Sequence, residues 1–299
     1  MAELSSNKQW SSAGCIVLGS SLISASPFFV EFSGLGAAAN SFYRMAIGGA
    51  VLFLIAILQQ EKWPARKYFG LYLLAALTIA LDLVVWNQSV LYIGAGLSTV
   101  LANLEIVFLV LIGTLFFREK LPPLFFKMCG LIAIGVCFLI HPYIFEMQFS
   151  NILGISFGLA ASLIYSIYLI LLKNLGTANR GSETFTLALI CLFGAAILAL
   201  FIALTPGMTF SIPTTQGFFY VLSNGLLCQV LGWLLISKGL KGVSLSLSGL
   251  LMLAQPALTF IIDGFLMGRN THWLQILGCV ILLAAVYGSM RREKEEKLA

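Results

Sequence analysis

Hydrophobic positions along this chain come in long unbroken runs rather than in the alternation of a strand or the one-sided stripe of a soluble helix. A helix that crosses a bilayer needs about 20 mostly apolar residues, and ten segments of roughly that kind can be drawn. They are Ala13–Glu31, Ala37–Leu58, Phe69–Val90, Leu97–Phe117, Phe125–Ile140, Ile152–Leu172, Glu183–Leu204, Gln216–Ser237, Ser244–Met267 and Trp273–Met290. Short polar or turn-forming stretches separate them, so the pattern predicts one all-α polytopic membrane domain with ten transmembrane helices. Met1–Ser12 lacks the basic n-region of a secretory signal, and the first apolar run carries Pro27 and ends in Glu31. That run therefore reads as a retained first span.

Composition agrees with the pattern. Of 299 residues 60% are hydrophobic and only 10% charged, with a mean hydropathy of +0.98, whereas soluble domains carry about 25% charged residues. So few charges cannot cover a water-facing surface, which excludes a soluble enzyme, a nucleic-acid binder and a disordered chain. The net charge of +5 matters less than its placement, because Lys and Arg accumulate on the cytoplasmic side of short loops. With the N-terminus inside, the cytoplasmic ends hold Lys8, then Lys62, Arg66 and Lys67, then Arg118, Lys120 and Lys127, then Lys173 and Arg180, then Lys238 and Lys241, and finally Arg291, Arg292, Lys294 and Lys297. These are fifteen of the seventeen basic residues; Arg269 alone lies in an opposite loop and Arg44 lies inside a span. Both termini are thus expected in the cytoplasm, with the chain in the inner membrane.

An internal echo runs through the sequence. Gly34-Leu35-Gly36 is repeated by Asn174-Leu175-Gly176, Gly48-Gly49-Ala50 by Gly194-Ala195-Ala196, the stretch Gly96 to Glu105 by Ser246 to Gln255, and Gly130-Leu131-Ile132 by Gly278-Cys279-Val280, always at an offset of 140 to 150 residues. A duplicated five-span unit, residues 1–150 and 151–299, accounts for it. Five is odd, so the second unit enters the membrane in the opposite sense. Inverted five-helix repeats let a transporter close one side as it opens the other.

Ionisable groups inside spans are functional candidates by default. They are Glu31, Arg44, Asp82, Glu105 and Asp263. Glu105 lies 8 residues into its span, about 12 Å at 1.5 Å per residue, close to the membrane centre. It can bind a substrate amine or take and release a proton, or it is a structural acid. Arg44 can hold a substrate carboxylate bidentately or partner Glu31 or Asp82. Asp82 and Trp86, four residues apart, share a helix face. Asn103 lies beside Glu105, Tyr165 and Tyr168 share a stripe of the sixth span, Gln229 and Trp233 of the eighth, and Gln255 occupies in the second repeat the position of Glu105 in the first. These ten residues, Arg44, Asp82, Trp86, Asn103, Glu105, Tyr165, Tyr168, Gln229, Trp233 and Gln255, are the substrate-site candidates. Ser20 and Ser24 share a stripe with Pro27, and Pro27 and Pro256 remove helix hydrogen bonds and are candidate hinges.

Other chemistry is thin. The six cysteines, Cys15, Cys129, Cys137, Cys191, Cys228 and Cys279, fall inside spans without paired spacing, so neither a disulfide framework nor a metal site is expected. His141 and His272 stand singly at span ends. No H-E-x-x-H, G-x-S-x-G or Walker motif occurs, which argues against an intramembrane enzyme and against ATP as the direct energy source. No cofactor is expected.

The stretch Trp86-Asn87-Gln88-Ser89-Val90-Leu91-Tyr92-Ile93-Gly94-Ala95-Gly96, continuing through Leu104-Glu105-Ile106-Val107-Phe108 to Phe117-Arg118-Glu119-Lys120-Leu121, resembles the signature of EamA-type members of the drug/metabolite transporter superfamily. Phe42-Tyr43-Arg44-Met45-Ala46 is similar to that family's Arg-bearing second span, and Gln255-Pro256-Ala257 to the signature's second copy. At or beside Glu105 the family usually carries proline, and Arg269 stands where the second repeat's closing acid is expected. The resemblance implies a secondary transporter of a small molecule working by alternating access, an exporter of amphipathic metabolites such as amino acids. Uptake or exchange of a larger or nucleotide-like metabolite, and multidrug efflux, are the alternatives. The partners implied are the bilayer, the substrate and, for an acid such as Glu105, a coupled proton; no nucleic acid is implied, and a monomer or weak dimer is expected.

Overall fold

A computed structural model describes residues 2–105, 148–178, 183–240, 254–268 and 272–281, together with 107–108, 111–112, 130–131, 134–135, 137–138, 141, 251–252 and 284. The remaining parts of the fourth, fifth, ninth and tenth predicted spans, Cys129, and the basic residues Arg118, Lys120, Lys127, Arg180, Lys241, Arg269, Arg291, Arg292, Lys294 and Lys297 lie outside the described residues.

The described chain is helical. Its elements are α1 (Ala2–Ser24), α2 (Ser26–Phe32), α3 (Ala37–Leu58), α4 (Phe69–Ile93) behind a 3₁₀ turn (Arg66–Tyr68), α5 (Ala95–Ala102), α6 (Phe149–Ala178), α7 (Glu183–Leu204), α8 (Thr215–Ser223), a π-helical segment (Asn224–Gly232), α9 (Trp233–Leu240) and α10 (Ala254–Leu266). Six stretches are long and apolar enough to cross a bilayer: Ser12–Phe32, Ala37–Leu58, Arg66–Ile93, Phe149–Leu172, Glu183–Leu204 and Thr215–Ile236. They coincide with the first, second, third, sixth, seventh and eighth predicted spans. Residues 273–281 are helical where the tenth was expected. Hydrocarbon offers no hydrogen bonds, so the backbone must satisfy itself and helices follow from hydropathy alone.

Two predicted spans are not continuous. The first breaks at Ala25, because Pro27 has no N–H to donate to Ile23 and its ring crowds that carbonyl. The Phe28 N–H bonds the Ala25 carbonyl at 3.1 Å instead of the Ser24 carbonyl. The Ser24 carbonyl is then taken from the other half of the chain, Thr259 Oγ1 donating to it at 3.1 Å, and the Leu22 carbonyl, which accepts the Ala25 N–H at 3.2 Å, also accepts from Cys228 Sγ at 3.1 Å. The fourth predicted span is interrupted at Asn103–Leu104. There Asn103 Nδ2 donates back to the Thr99 carbonyl at 2.8 Å and the Leu104 N–H reaches only to Leu101 at 3.0 Å. Asparagine competes with the backbone in this way and so ends helices.

Packing pairs elements from opposite halves: α4 lies along α6, α3 along α7, α1 along the π segment and α9, and α5 against α10. Small and hydroxylated residues sit in these seams. Ser89 Oγ donates to the Gly154 carbonyl at 2.8 Å between α4 and α6, and Tyr72 Oη lies 3.2 Å from Thr186 Oγ1 between α4 and α7. At the end of α2, Gly34 adopts φ +70° to turn the chain into α3, and Asn40 Nδ2 ties the turn by donating to the Leu35 carbonyl at 3.0 Å. Two carboxylates cap helices across the halves. Glu61 Oε2 accepts the Phe185 N–H of α7 at 2.9 Å, and Asp263 Oδ2 accepts the Gly96 N–H of α5 at 3.1 Å. Both use the positive end of a helix.

The α4–α6 seam yields a direct test. A Cβ on Gly154 would stand 2.5 Å from Ile93 Cγ2 and 2.8 Å from Tyr92 Cβ, while one on Gly14 meets nothing within 4 Å. Gly154→Val is expected to destabilise the detergent-solubilised protein by about 1–3 kcal/mol through overpacking. Gly14→Val, with the same change in helix propensity, should leave the melting temperature close to native.

Candidate functional site

One cavity of about 240 Å³ opens between the two halves. Its lining includes Arg44 from α3, Asp82 and Trp86 from α4, Asn103 and Glu105 from the break after α5, Tyr165 and Tyr168 from α6, Cys191 from α7, Gln229 from the π segment, Trp233 from α9, and Gln255 from α10. All ten side chains singled out in the sequence as substrate-site candidates therefore border the same space. Glu31 and Asp263 are not among its described lining residues; Glu31 is half-buried and Asp263, buried, caps α5. Ser20 and Ser24 are buried against neighbouring helices. Pro27 is buried just past the break at Ala25, and Pro256 in the first turn of α10.

Arg44 is the chemical centre of this wall. It is 7% exposed, and both of its hydrogen bonds run to neutral oxygens: Nε donates to Gln229 Oε1 at 2.9 Å and Nη1 to Ser26 Oγ at 3.0 Å. Ser26 Oγ passes the chain on by donating to Asn224 Oδ1 at 2.8 Å, and Gln229 Nε2 donates to Cys191 Sγ at 3.4 Å. The guanidinium carbon lies 6.0 Å from the centre of the Trp86 ring, within cation–π range. A guanidinium has five N–H donors, and these bonds use two of them. Asp82 is within electrostatic reach of Arg44, and Glu105 of Asp82. Tyr165 and Tyr168 form an aromatic pair with ring centres 5.7 Å apart. The cavity thus joins a cation with donors to spare, two acids and a wall of four aromatic residues.

Sequence reasoning missed several participants. Ser26 and Asn224 were hidden because a serine and an asparagine in a span look like ordinary packing until a buried charge is found to lean on them. Thr99 and Met252 also line the cavity. His141 and His272, which the sequence shows as isolated, stack with ring centres 6.3 Å apart, and nothing in the spacing of two lone histidines signals that. Among the described residues, no group of three His, Cys, Asp or Glu side chains is placed to hold a metal ion.

Two of the protein's five tryptophans, Trp86 and Trp233, face this space. Any ligand of the cavity is therefore expected to change the intrinsic fluorescence, and the double variant Trp86→Phe, Trp233→Phe to lose most of that change. An undiminished change in the double variant would place the ligand elsewhere.

Comparison with known proteins supplies the remaining finding. A solved crystal structure superposes with a TM-score of 0.65 at 16% identity, covering 94% of this chain and 96% of that one, which establishes a shared fold. A protein of Clostridium kluyveri described as an uncharacterized transporter is 21% identical over 243 residues, 79% of this chain and 78% of that protein. The model of the EamA-like transporter family matches twice in succession, over residues 11–141 and 152–291. Those two matches take in nearly the whole sequence, and this multi-pass membrane chain therefore belongs to the EamA-like transporter family.

Proposed function

We propose that this protein is a secondary transporter that exports small amphipathic metabolites such as amino acids by alternating access, with the cavity between its halves as the substrate site. The observation that carries the reading is the charge arrangement of that cavity. Arg44 offers unused guanidinium donors to a carboxylate, Asp82 and Glu105 offer a counter-charge to an amine, and Trp86, Tyr165, Tyr168 and Trp233 supply apolar surface between them. A zwitterion with a hydrophobic side chain complements all three. The volume supports a small substrate: about 240 Å³ falls below the roughly 300–1,000 Å³ of pockets for drug-sized ligands, which disfavours nucleotide-like cargo and bulky drugs.

We read the architecture as ten spans in two inverted repeats, residues 1–150 and 151–299. The double family match supports this, and so does the packing. A two-fold exchange of the halves swaps each span with the one five places on; it leaves the pairs α3·α7 and α5·α10 in place and interchanges α4·α6 with the packing of α1 on the eighth span. Those are the observed neighbours. The basic loops support cytoplasmic termini in an inner membrane, and a cavity built within one chain needs no second subunit. Glu105, beside the broken helix, is the group we assign to proton exchange during the cycle.

Counterflow in liposomes tests the reading. Purified protein is expected to exchange labelled neutral amino acids but not their decarboxylated amines. Glu105→Gln should slow exchange by about tenfold or more, the scale of one interaction of a charged group. Unchanged exchange in Glu105→Gln removes the role given to that residue, and a chemically altered substrate without flux would favour an enzyme.

A further inference from the structure

The eighth span does not cross as a single α-helix. Between α8 and α9 the nine residues Asn224–Gly232 are wound as a π-helix, in which each N–H bonds five residues back instead of four. Such winding is rare and concentrates at functional sites. What it does here follows from angles. Asn224 and Gln229 are five residues apart, and in an α-helix with 3.6 residues per turn such residues point about 140° away from each other. Winding with i→i+5 bonds turns less per residue and brings them round to one face, much as residues four apart share a face of an α-helix.

Both side chains bear on one guanidinium. Gln229 Oε1 accepts from Arg44 Nε at 2.9 Å, while Asn224 Oδ1 accepts from Ser26 Oγ at 2.8 Å and Ser26 Oγ accepts from Arg44 Nη1 at 3.0 Å. The two routes fix two different nitrogens and so fix the plane of the guanidinium as well as its position. Room for Gln229 comes from Gly48, where a Cβ would collide with the Gln229 side chain.

We propose that Asn224, acting through Ser26, and Gln229 are positioning residues for Arg44, and that the π winding of the eighth span is what lets both act from one helix face. This rests on the reading of Arg44 as the receptor for the substrate's carboxylate. A bidentate carboxylate contact requires an oriented fork rather than a point charge, and the two routes supply that orientation. Rewinding the segment as an α-helix without changing its length swings Gln229 away from Asn224 and releases one nitrogen of Arg44. The winding of a single span thereby sets whether the receptor is held.

The test reads the Arg44 Nε–H nuclear resonance in purified protein carrying isotope-labelled arginine, assigned by its disappearance in Arg44→Lys. Slow solvent exchange is expected in the native chain. Gln229→Ala should speed it about tenfold, the scale of one lost bond of a charged donor, and Asn224→Ala should speed exchange of the Nη1 protons, whose acceptor Ser26 it leaves unanchored. Two deletions isolate the winding. Leu227 and Leu231 are both exposed leucines of the π segment, at 38% and 43%, and removing either shortens it towards an α-helix. Deleting Leu227 leaves Asn224 and Gln229 four apart, about 40° in an α-helix, so the protected resonance should persist. Deleting Leu231 keeps them five apart and should lose the protection. Equal exchange in the two deletions, or native exchange in Asn224→Ala and Gln229→Ala, overturns the proposal; if a deletion fails to fold, the point variants decide. Since the readout is Arg44 itself, a failed flux assay bears on the function and not on this positioning.

Discussion

A full positive charge inside a membrane is the constraint around which this molecule is arranged. Arg44 cannot lose its proton, and removing it from water is costly unless hydrogen bonds replace hydration. Its hydrogen-bond acceptors are the oxygens of Ser26 and Gln229, neither of them a carboxylate. Neutral acceptors stabilise the cation without forming an ion pair, and Asp82 acts on it only through space. The aromatic face of Trp86 works in the same direction. A guanidinium held this way attracts an anion from outside the protein, and the remainder of the cavity gives that anion its setting.

The partners of Arg44 come from two places that hydropathy does not distinguish. Ser26 opens α2 just beyond the Pro27 break, and Gln229 and Asn224 lie in the π segment. Both are departures from regular α-helix, and both bear on the same side chain. The third, at Asn103–Leu104, sets Glu105 on the cavity wall. Irregular backbone is tolerated at membrane depth only where it is enclosed by protein or lines a wet space; among the described residues, the break at Asn103–Leu104 and the π segment contribute to the cavity wall, and the break at Ala25 is enclosed beside it. Regular helix elsewhere serves to hold them in register, through close α4–α6 and α3–α7 seams.

Much of this was legible before any coordinates. The boundaries of Ala37–Leu58 and Glu183–Leu204 were readable to the residue because a lipid solvent turns hydropathy directly into helix. The convergence of Arg44, Asp82 and Glu105 on one space was readable because a charge in a span needs a polar or wet setting, although that rule alone did not separate them from Glu31 and Asp263, which do not line it. The interruptions were less accessible. Pro27 announced its break, but Asn103 did not, since its amide could equally have pointed outward. The π winding left no local mark: the groups that its Gln229 and Asn224 meet, Arg44 and Ser26, are remote in sequence. The stacking of His141 on His272 and the capping of α7 by Glu61 are likewise products of tertiary placement.

The broken first span has a consequence for how the protein is made. Its Ser24 carbonyl, passed over by the Phe28 N–H, is answered by Thr259, more than two hundred residues later in synthesis. While only the first half has left the ribosome, that carbonyl faces either lipid, at a penalty of several kcal/mol, or whatever insertion machinery shields it. The first half is thus born incomplete, and arrival of the helix that carries Thr259 is a chemical event in its maturation as well as a topological one. A chain truncated before Thr259 would be a client for quality control rather than half a transporter.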